Sequence, residues 1–143
     1  MNHRPSWSSV IVVPRNVQFA VIARGFNVRN VNFPGGRRAE EDANPTDTAI
    51  RELREETGLF TAPEFLRLID KWSGADGYPV YAYLVENGRF RGRVRSSSEG
   101  RAFWTAQTGL LTSPASEFRD YNRRLLKKVL SAPTTPSLVK FGF

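Results

Sequence analysis

Between Asn44 and Leu59 the chain reads NPTDTAIRELREETGL, and this stretch constrains the fold more than any other. Asn44 can cap a helix, Pro45 suits a first helical turn, Asp47 sits where a capping-box acid belongs, and Gly58 is an ordinary stop. A helix over Pro45–Thr57 follows. At about 100° per residue, Glu52, Glu55 and Glu56 share an arc of roughly 100°, and Ile50, Leu53 and Thr57 fall on a neighbouring arc that can face a core. Three carboxylates on one face repel one another unless cations intervene. Arg51, four residues before Glu55, relieves part of that repulsion. A hard divalent cation relieves it better, because Mg²⁺ or Mn²⁺ takes carboxylate oxygens and keeps waters that phosphates can displace. Standing alone, the same string reads better as a solvated, salt-bridged helix face, and its context changes that balance.

The composition narrows the chemistry. The 143 residues contain no cysteine and one histidine, His3, so a disulfide scaffold, a thiolate site and a two-imidazole site are excluded. Any metal must therefore be held by oxygen. The length suits one domain, expected over 1–143. The longest early apolar run, Val10–Val13, is too short for a signal-peptide core, and no stretch reaches the roughly 18–20 apolar residues of a membrane span. A cytoplasmic protein without membrane contact is the expectation. Lys+Arg total 21 against 14 Asp+Glu, a net charge of +7, which favours anionic partners such as nucleotides or other phosphorylated molecules.

Strands are expected over Ser8–Val13, Val17–Ala23, Val31–Phe33, Phe65–Trp72 and Pro79–Val85, with a sixth over Phe90–Val94 whose alternating arginines leave one face exposed. Ala102–Thr105 is a short apolar piece. Phe118, Tyr121, Leu125 and Val129 recur at helical spacing between Pro114 and Leu130, marking a second amphipathic helix. Met1–Trp7 reads as a lead-in, Ser131–Ser137 as irregular, and Leu138–Phe143 as a tail that docks or frays. The fold class is α+β.

Gly35-Gly36 upstream of this acidic helix, and Gly58-Leu59 closing it, give the chain a resemblance to the Nudix hydrolases. Their box reads G-x5-E-x7-R-E-U-x-E-E-x-G-U, where U is bulky and apolar. Gly36 matches the opening glycine, and Arg51, Glu52, Leu53, Glu55, Glu56, Gly58 and Leu59 match the second half completely. Asn32-Phe33-Pro34-Gly35-Gly36 also resembles the family's approach to the box. The first half departs from the pattern: 14 residues separate Gly36 from Arg51 where the family has 13. Counting forward from Gly36 puts Asp42 at the first glutamate, and counting back from Arg51 puts Ala43 there. Glu40, Glu41 and Asp42 are the acids available to fill the role.

The resemblance implies an α/β/α sandwich with a mixed β-sheet and the Nudix helix, the box spanning about 36–59. It implies Mg²⁺-dependent (or Mn²⁺-dependent) hydrolysis of a nucleoside diphosphate linked to another moiety. By similarity, Glu52, Glu55 and Glu56 would hold metal, Gly36 would shape the turn beside it, and Arg51 would hold the glutamates in place. The base acting on water is a box glutamate, Glu55 or Glu52, or an acid outside the box. Glu99, five residues before Trp104, is the first outside candidate, ahead of Glu86 and Glu64. Substrate signatures are thin: compact size favours a nucleoside triphosphate, oxidised forms included. ADP-ribose, a nucleoside-diphosphate sugar and a non-catalytic nucleotide- or RNA-binding role are the alternatives. Asn122 on the terminal helix is placed by similarity to contact a base, and the basic residues Arg24 and Arg37, flanking the expected mouth, are candidates to contact phosphates. Nucleic acid is compatible with the charge but not expected, and a homodimer is compatible with the sequence. The pre-helix insertion, Ser73–Tyr78 and Arg95–Gly100 are the loops expected to set specificity.

Overall fold

Three runs, Val10–Val13, Phe19–Ala23 and Ala82–Val85, are apolar without alternation, so each strand they form must bury both faces. The computed structural model, which describes residues 6–24 and 27–131, shows how. The strands are β1 (Ser8–Val12), β2 (Pro14–Arg15), β3 (Gln18–Ala23), β4 (Val31–Asn32), β5 (Gly35–Arg37), β6 (Leu66–Ser73), β7 (Pro79–Val85) and β8 (Arg101–Ala106). The helices are α1 (Pro45–Thr57), α2 (Gln107–Leu111) and α3 (Ser116–Ser131). One sheet is mixed, in the order β5-β1-β7-β6, with β1 parallel to β7 and the other pairs antiparallel. In the other sheet β3 pairs antiparallel with β2, β4 and β8.

Two cores lie on opposite sides of these sheets. Ile11, Val13, Ala20, Tyr83 and Val85 pack with Ala49, Leu53 and Leu59 of the α1 side. Val10, Val12, Phe19, Val21, Ala82 and Leu84 point the other way, onto Leu110 of α2 and Leu125, Leu126 and Val129 of α3. Side chains alternate along a strand, so each central strand serves both layers, and the result is the expected α/β/α sandwich.

Three expectations need correction. Phe90–Val94 is not a strand: it follows a turn with Asn87 and Gly88 at positive φ, Gly92 lies at φ 97°, and the segment makes only a single bridge, Phe60 to Arg91. A left-handed residue mid-run turns the backbone out of a ladder. Ala102–Thr105 instead forms most of β8, bonded along the length of β3. Trp7 is not part of a lead-in. It is buried, its Nε1 donates to Thr48 Oγ1 at 2.9 Å, its carbonyl accepts from Arg38 N at 2.9 Å, and the Arg38 guanidinium lies 4.6 Å from its ring centroid. Met1–Pro5, including His3, and the segments expected over 132–137 and Leu138–Phe143 lie outside the described residues.

Candidate metal centre

Local chemistry places α1 as its sequence anticipates. Asn44 Oδ1 accepts from Asp47 N at 3.1 Å, Pro45 opens the helix, and Gly58 ends it at φ 82° with its N–H donating to Arg54 O at 2.9 Å. Ala49, Leu53 and Thr57 sink into the core, and this rotation decides where each acid goes. Glu56 is pulled fully inside, Glu52 is buried at the edge, and Glu55 stays outside with 47% of its side chain exposed. The three acids therefore share an arc but not an environment.

Glu56 is held by the glycine strand. Its Oε1 accepts from Gly35 N at 2.7 Å, while its Oε2 forms an ion pair with Arg24. Arg24 also donates to Gly35 O at 3.1 Å, so it is fixed beside the acid even though half of its side chain meets solvent. The Glu52 carboxylate lies over Gly36: a β-carbon built there would stand 2.6–2.9 Å from its carboxyl atoms. Only the absence of a side chain at 36 lets this acid rest against β5. Glu99 approaches from the Ser96–Gly100 loop, and one oxygen from each of Glu52, Glu56 and Glu99 lies within 4.8 Å of the others.

Arg51 organises the flank. Its Nη1 donates to Glu52 Oε1 at 3.0 Å and Glu55 Oε2 at 3.1 Å, and its Nη2 donates to the Arg37 carbonyl at 2.9 Å. The other side of the guanidinium is taken by Asp42, at 3.0 Å from Nη2 and 3.1 Å from Nε. Asp42 is itself buried and accepts from Ala39 N and Thr48 Oγ1, both at 2.8 Å. Of the three acids available before the helix, Asp42 thus holds the arginine, whereas Glu41 Oε1 stays 3.8 Å from Arg51 Nε. The count forward from Gly36 points to this residue.

These surroundings set the charge states. Burial pushes the Glu52 carboxyl above its ordinary range; Arg51 opposes the shift, and Glu55 and Glu99 add to it. Burial also pushes Asp42 up, but hydrogen bonds from Arg51, Ala39 N and Thr48 outweigh it and leave its carboxyl below the usual range. Arg51 is pushed further up by its bond to Asp42, so it remains a cation throughout.

Two of the expected substrate contacts are engaged within the fold. The Arg37 side chain turns to Asp76 Oδ2 at 2.6 Å, although its carbonyl serves Arg51. Asn122 is fully buried in α3, and its amide donates to the carbonyls of Val31 and Leu110, each at 2.9 Å. Both donor hydrogens are spent on backbone, which leaves only Oδ1 for anything further. Beside the acids, Arg51, Arg54, Glu55, Gly58, Arg95, Ser96 and Ser97 line a cleft of about 460 Å³, so the Arg95–Gly100 loop does border the centre.

The NUDIX domain profile matches residues 3–125, which takes in the glycine strand, the acidic helix and the Glu99 loop. The chain belongs to the NUDIX domain family. The expectation of a Nudix hydrolase stands with that membership. Solved structures share the Nudix fold. A MutT protein from Bacillus halodurans has TM-score 0.65 at 18% identity, over 85% of this chain and 82% of its own. A MutT NUDIX hydrolase from Burkholderia pseudomallei has TM-score 0.63 at 19% identity, over 86% and 99%. The ORF135 protein of E. coli has TM-score 0.64 at 16% identity, over 92% and 96%. No curated protein matches the sequence. Among the described residues of this Nudix chain, no helix is long and apolar enough to cross a membrane.

Proposed function

We propose that this Nudix protein hydrolyses a nucleoside triphosphate to the monophosphate and pyrophosphate, using Mg²⁺ or Mn²⁺. The observation that carries the reading is the convergence of Glu52, Glu56 and Glu99 to within 4.8 Å. Three carboxylate oxygens at that spacing suit a hard divalent cation, and the missing side chain at Gly36 leaves the Glu52 carboxylate room beside them. A bound cation supplies neutralisation of phosphate charge and lowers the pKa of a water.

The chain's own part is positional and electrostatic. Gly35 N and Arg24 fix the two oxygens of Glu56, so that side chain is set before any ligand arrives. Asp42 anchors Arg51, which in turn holds Glu52 and Glu55. Glu55 is the exposed acid of the helix, tethered at one oxygen only, and is the group placed to take a proton from water at the mouth of the cleft. Arg54 and Arg95 line that cleft and offer charge to the polyphosphate.

Phosphate and pyrophosphate release should be followed over a panel of nucleoside triphosphates, diphosphate sugars and ADP-ribose with Mg²⁺ or Mn²⁺. Glu56→Gln and Glu99→Gln should be run beside the wild type. Pyrophosphate release from triphosphates, reduced at least a hundredfold in both variants, is expected. Cleavage confined to sugar- or ribose-linked diphosphates would move the substrate class while keeping the chemistry. Full activity in Glu56→Gln would overturn the site.

A further inference from the structure

The run Arg89-Phe90-Arg91-Gly92-Arg93-Val94-Arg95 alternates strictly, and the structure gives that alternation a purpose other than strand pairing. Phe90 and Val94 pack on the α1-side core, with the Phe90 ring 5.6 Å from that of Trp104. The four arginines are thereby all turned outward and exposed. Among the described residues none of them meets a carboxylate within ion-pair distance. Four cations in seven residues, none of them ion-paired, repel one another.

Their surroundings are aromatic. Phe60 and Arg91 exchange backbone hydrogen bonds at 2.9 and 2.8 Å, which fixes ring and cation side by side. Phe60 is 41% exposed, so its ring edge is open to a ligand. Together Phe60, Phe65 and Phe90 wall a cavity of about 410 Å³, rimmed by Arg89 and Arg91. The Arg89 guanidinium stands 5.7 Å from the centroid of Phe65, and that of Arg54 stands 4.3 Å from the centroid of Phe60. At the other end of the run, Arg95 crosses the C-terminus of α1 into the cleft beside the acidic centre.

We propose that this surface binds single-stranded nucleic acid, with phosphates on the arginine run and a base in the phenylalanine-walled cavity. A run of cations beside a cavity walled by aromatic rings is what an unpaired strand requires, because every base offers a face to stack. A duplex hides its bases and would use only the charges. An acidic peptide without aromatic side chains would likewise leave the cavity without a flat partner. The surface adjoins the acidic centre at Arg54 and Arg95, both left unchanged in the test below, so the inference does not depend on the reaction proposed above.

Fluorescence anisotropy with a labelled ten-nucleotide strand bearing a 5′-hydroxyl, in EDTA, tests this. Wild type is compared with R89Q/R91Q/R93Q and with Phe60→Ser, and a duplex and an abasic strand of equal charge serve as competitors. The single strand should bind at least tenfold more tightly than either competitor. The triple variant should lose at least tenfold, and its slope of log affinity against log salt should fall by about 2, close to 0.7 per cation removed. Phe60→Ser should lose roughly tenfold on the strand and nothing on the abasic chain. All substituted side chains are exposed, so circular dichroism should match wild type in both variants, and pyrophosphate release should match it in the triple variant. Equal binding of duplex and strand, an unchanged triple variant, or no binding to wild type at low salt would each overturn the proposal.

Discussion

Replacing Gly36 by alanine would put a methyl carbon 2.6 Å from Cδ of Glu52 and 2.7 and 2.9 Å from its oxygens. Ordinary contact begins near 3.4 Å, so the carboxyl must retreat by about 0.8 Å. The obstacle is the far end of a flexible side chain, and Gly36 has no positive φ to strain. The fold should therefore tolerate the change, with a Tm within about 2 °C of wild type, because alanine also loses less entropy on folding. A misplacement of order 1 Å in a catalytic group costs about a hundredfold in rate. A fall in kcat/KM of about that size, with weaker Mn²⁺ binding by calorimetry, is expected. Gly35→Ala is the control. There the new carbon would lie 2.5 Å from the Ser9 carbonyl oxygen and 3.0 Å from Val10 Cα, both backbone, so β5 must shift away from β1. Overpacking of this kind costs about 1–3 kcal/mol, a Tm lower by roughly 3–10 °C. Activity retained in Gly36→Ala, or unfolding as severe as in Gly35→Ala, would refute the account of how Glu52 is seated.

Asp42→Asn removes the charge that anchors Arg51 and should cost about 2 kcal/mol at pH 7, read from urea unfolding. Because the folded carboxyl is held below its ordinary value, its contribution is complete above the unfolded pKa of about 3.9 and lost as pH falls through the folded value. Wild type should thus lose its advantage over Asp42→Asn below about pH 4 in Tm scans. Asn122→Ala strands the Leu110 carbonyl, while Val31 O keeps a 3.0 Å bond from Ser113 Oγ, and a loss of about 2–3 kcal/mol in urea unfolding is expected. Leu53→Ala, at a position with no exposure, should cost about 2–5 kcal/mol by the same measurement.

Local physics made much of this protein legible from its residues. Caps, a proline and a terminal glycine bound α1 at Pro45–Thr57, and alternation with β-branched content marked strands over Ser8–Val13 and Val17–Ala23. Those signals act within a few residues, so a linear reading captures them. The box from Gly36 to Leu59 carried the family for the same reason. What the line of residues could not settle is which acids meet. Helical spacing grouped Glu52, Glu55 and Glu56, yet burial of Ala49 and Leu53 rotates Glu55 outward and opens the third corner to Glu99, 43 positions beyond Glu56 in the chain. Asp42 grips Arg51 with hydrogen bonds because the pre-helix loop folds it against Thr48 and Ala39 N. Phe90–Val94 has strand-like alternation but a left-handed Gly92, and only the Phe60 bridge and Trp104 packing show that its arginines face outward from an irregular segment. Side-chain type and spacing set which elements form; the packing of helices on the two sheets decides which charges are buried, paired or left to meet a ligand.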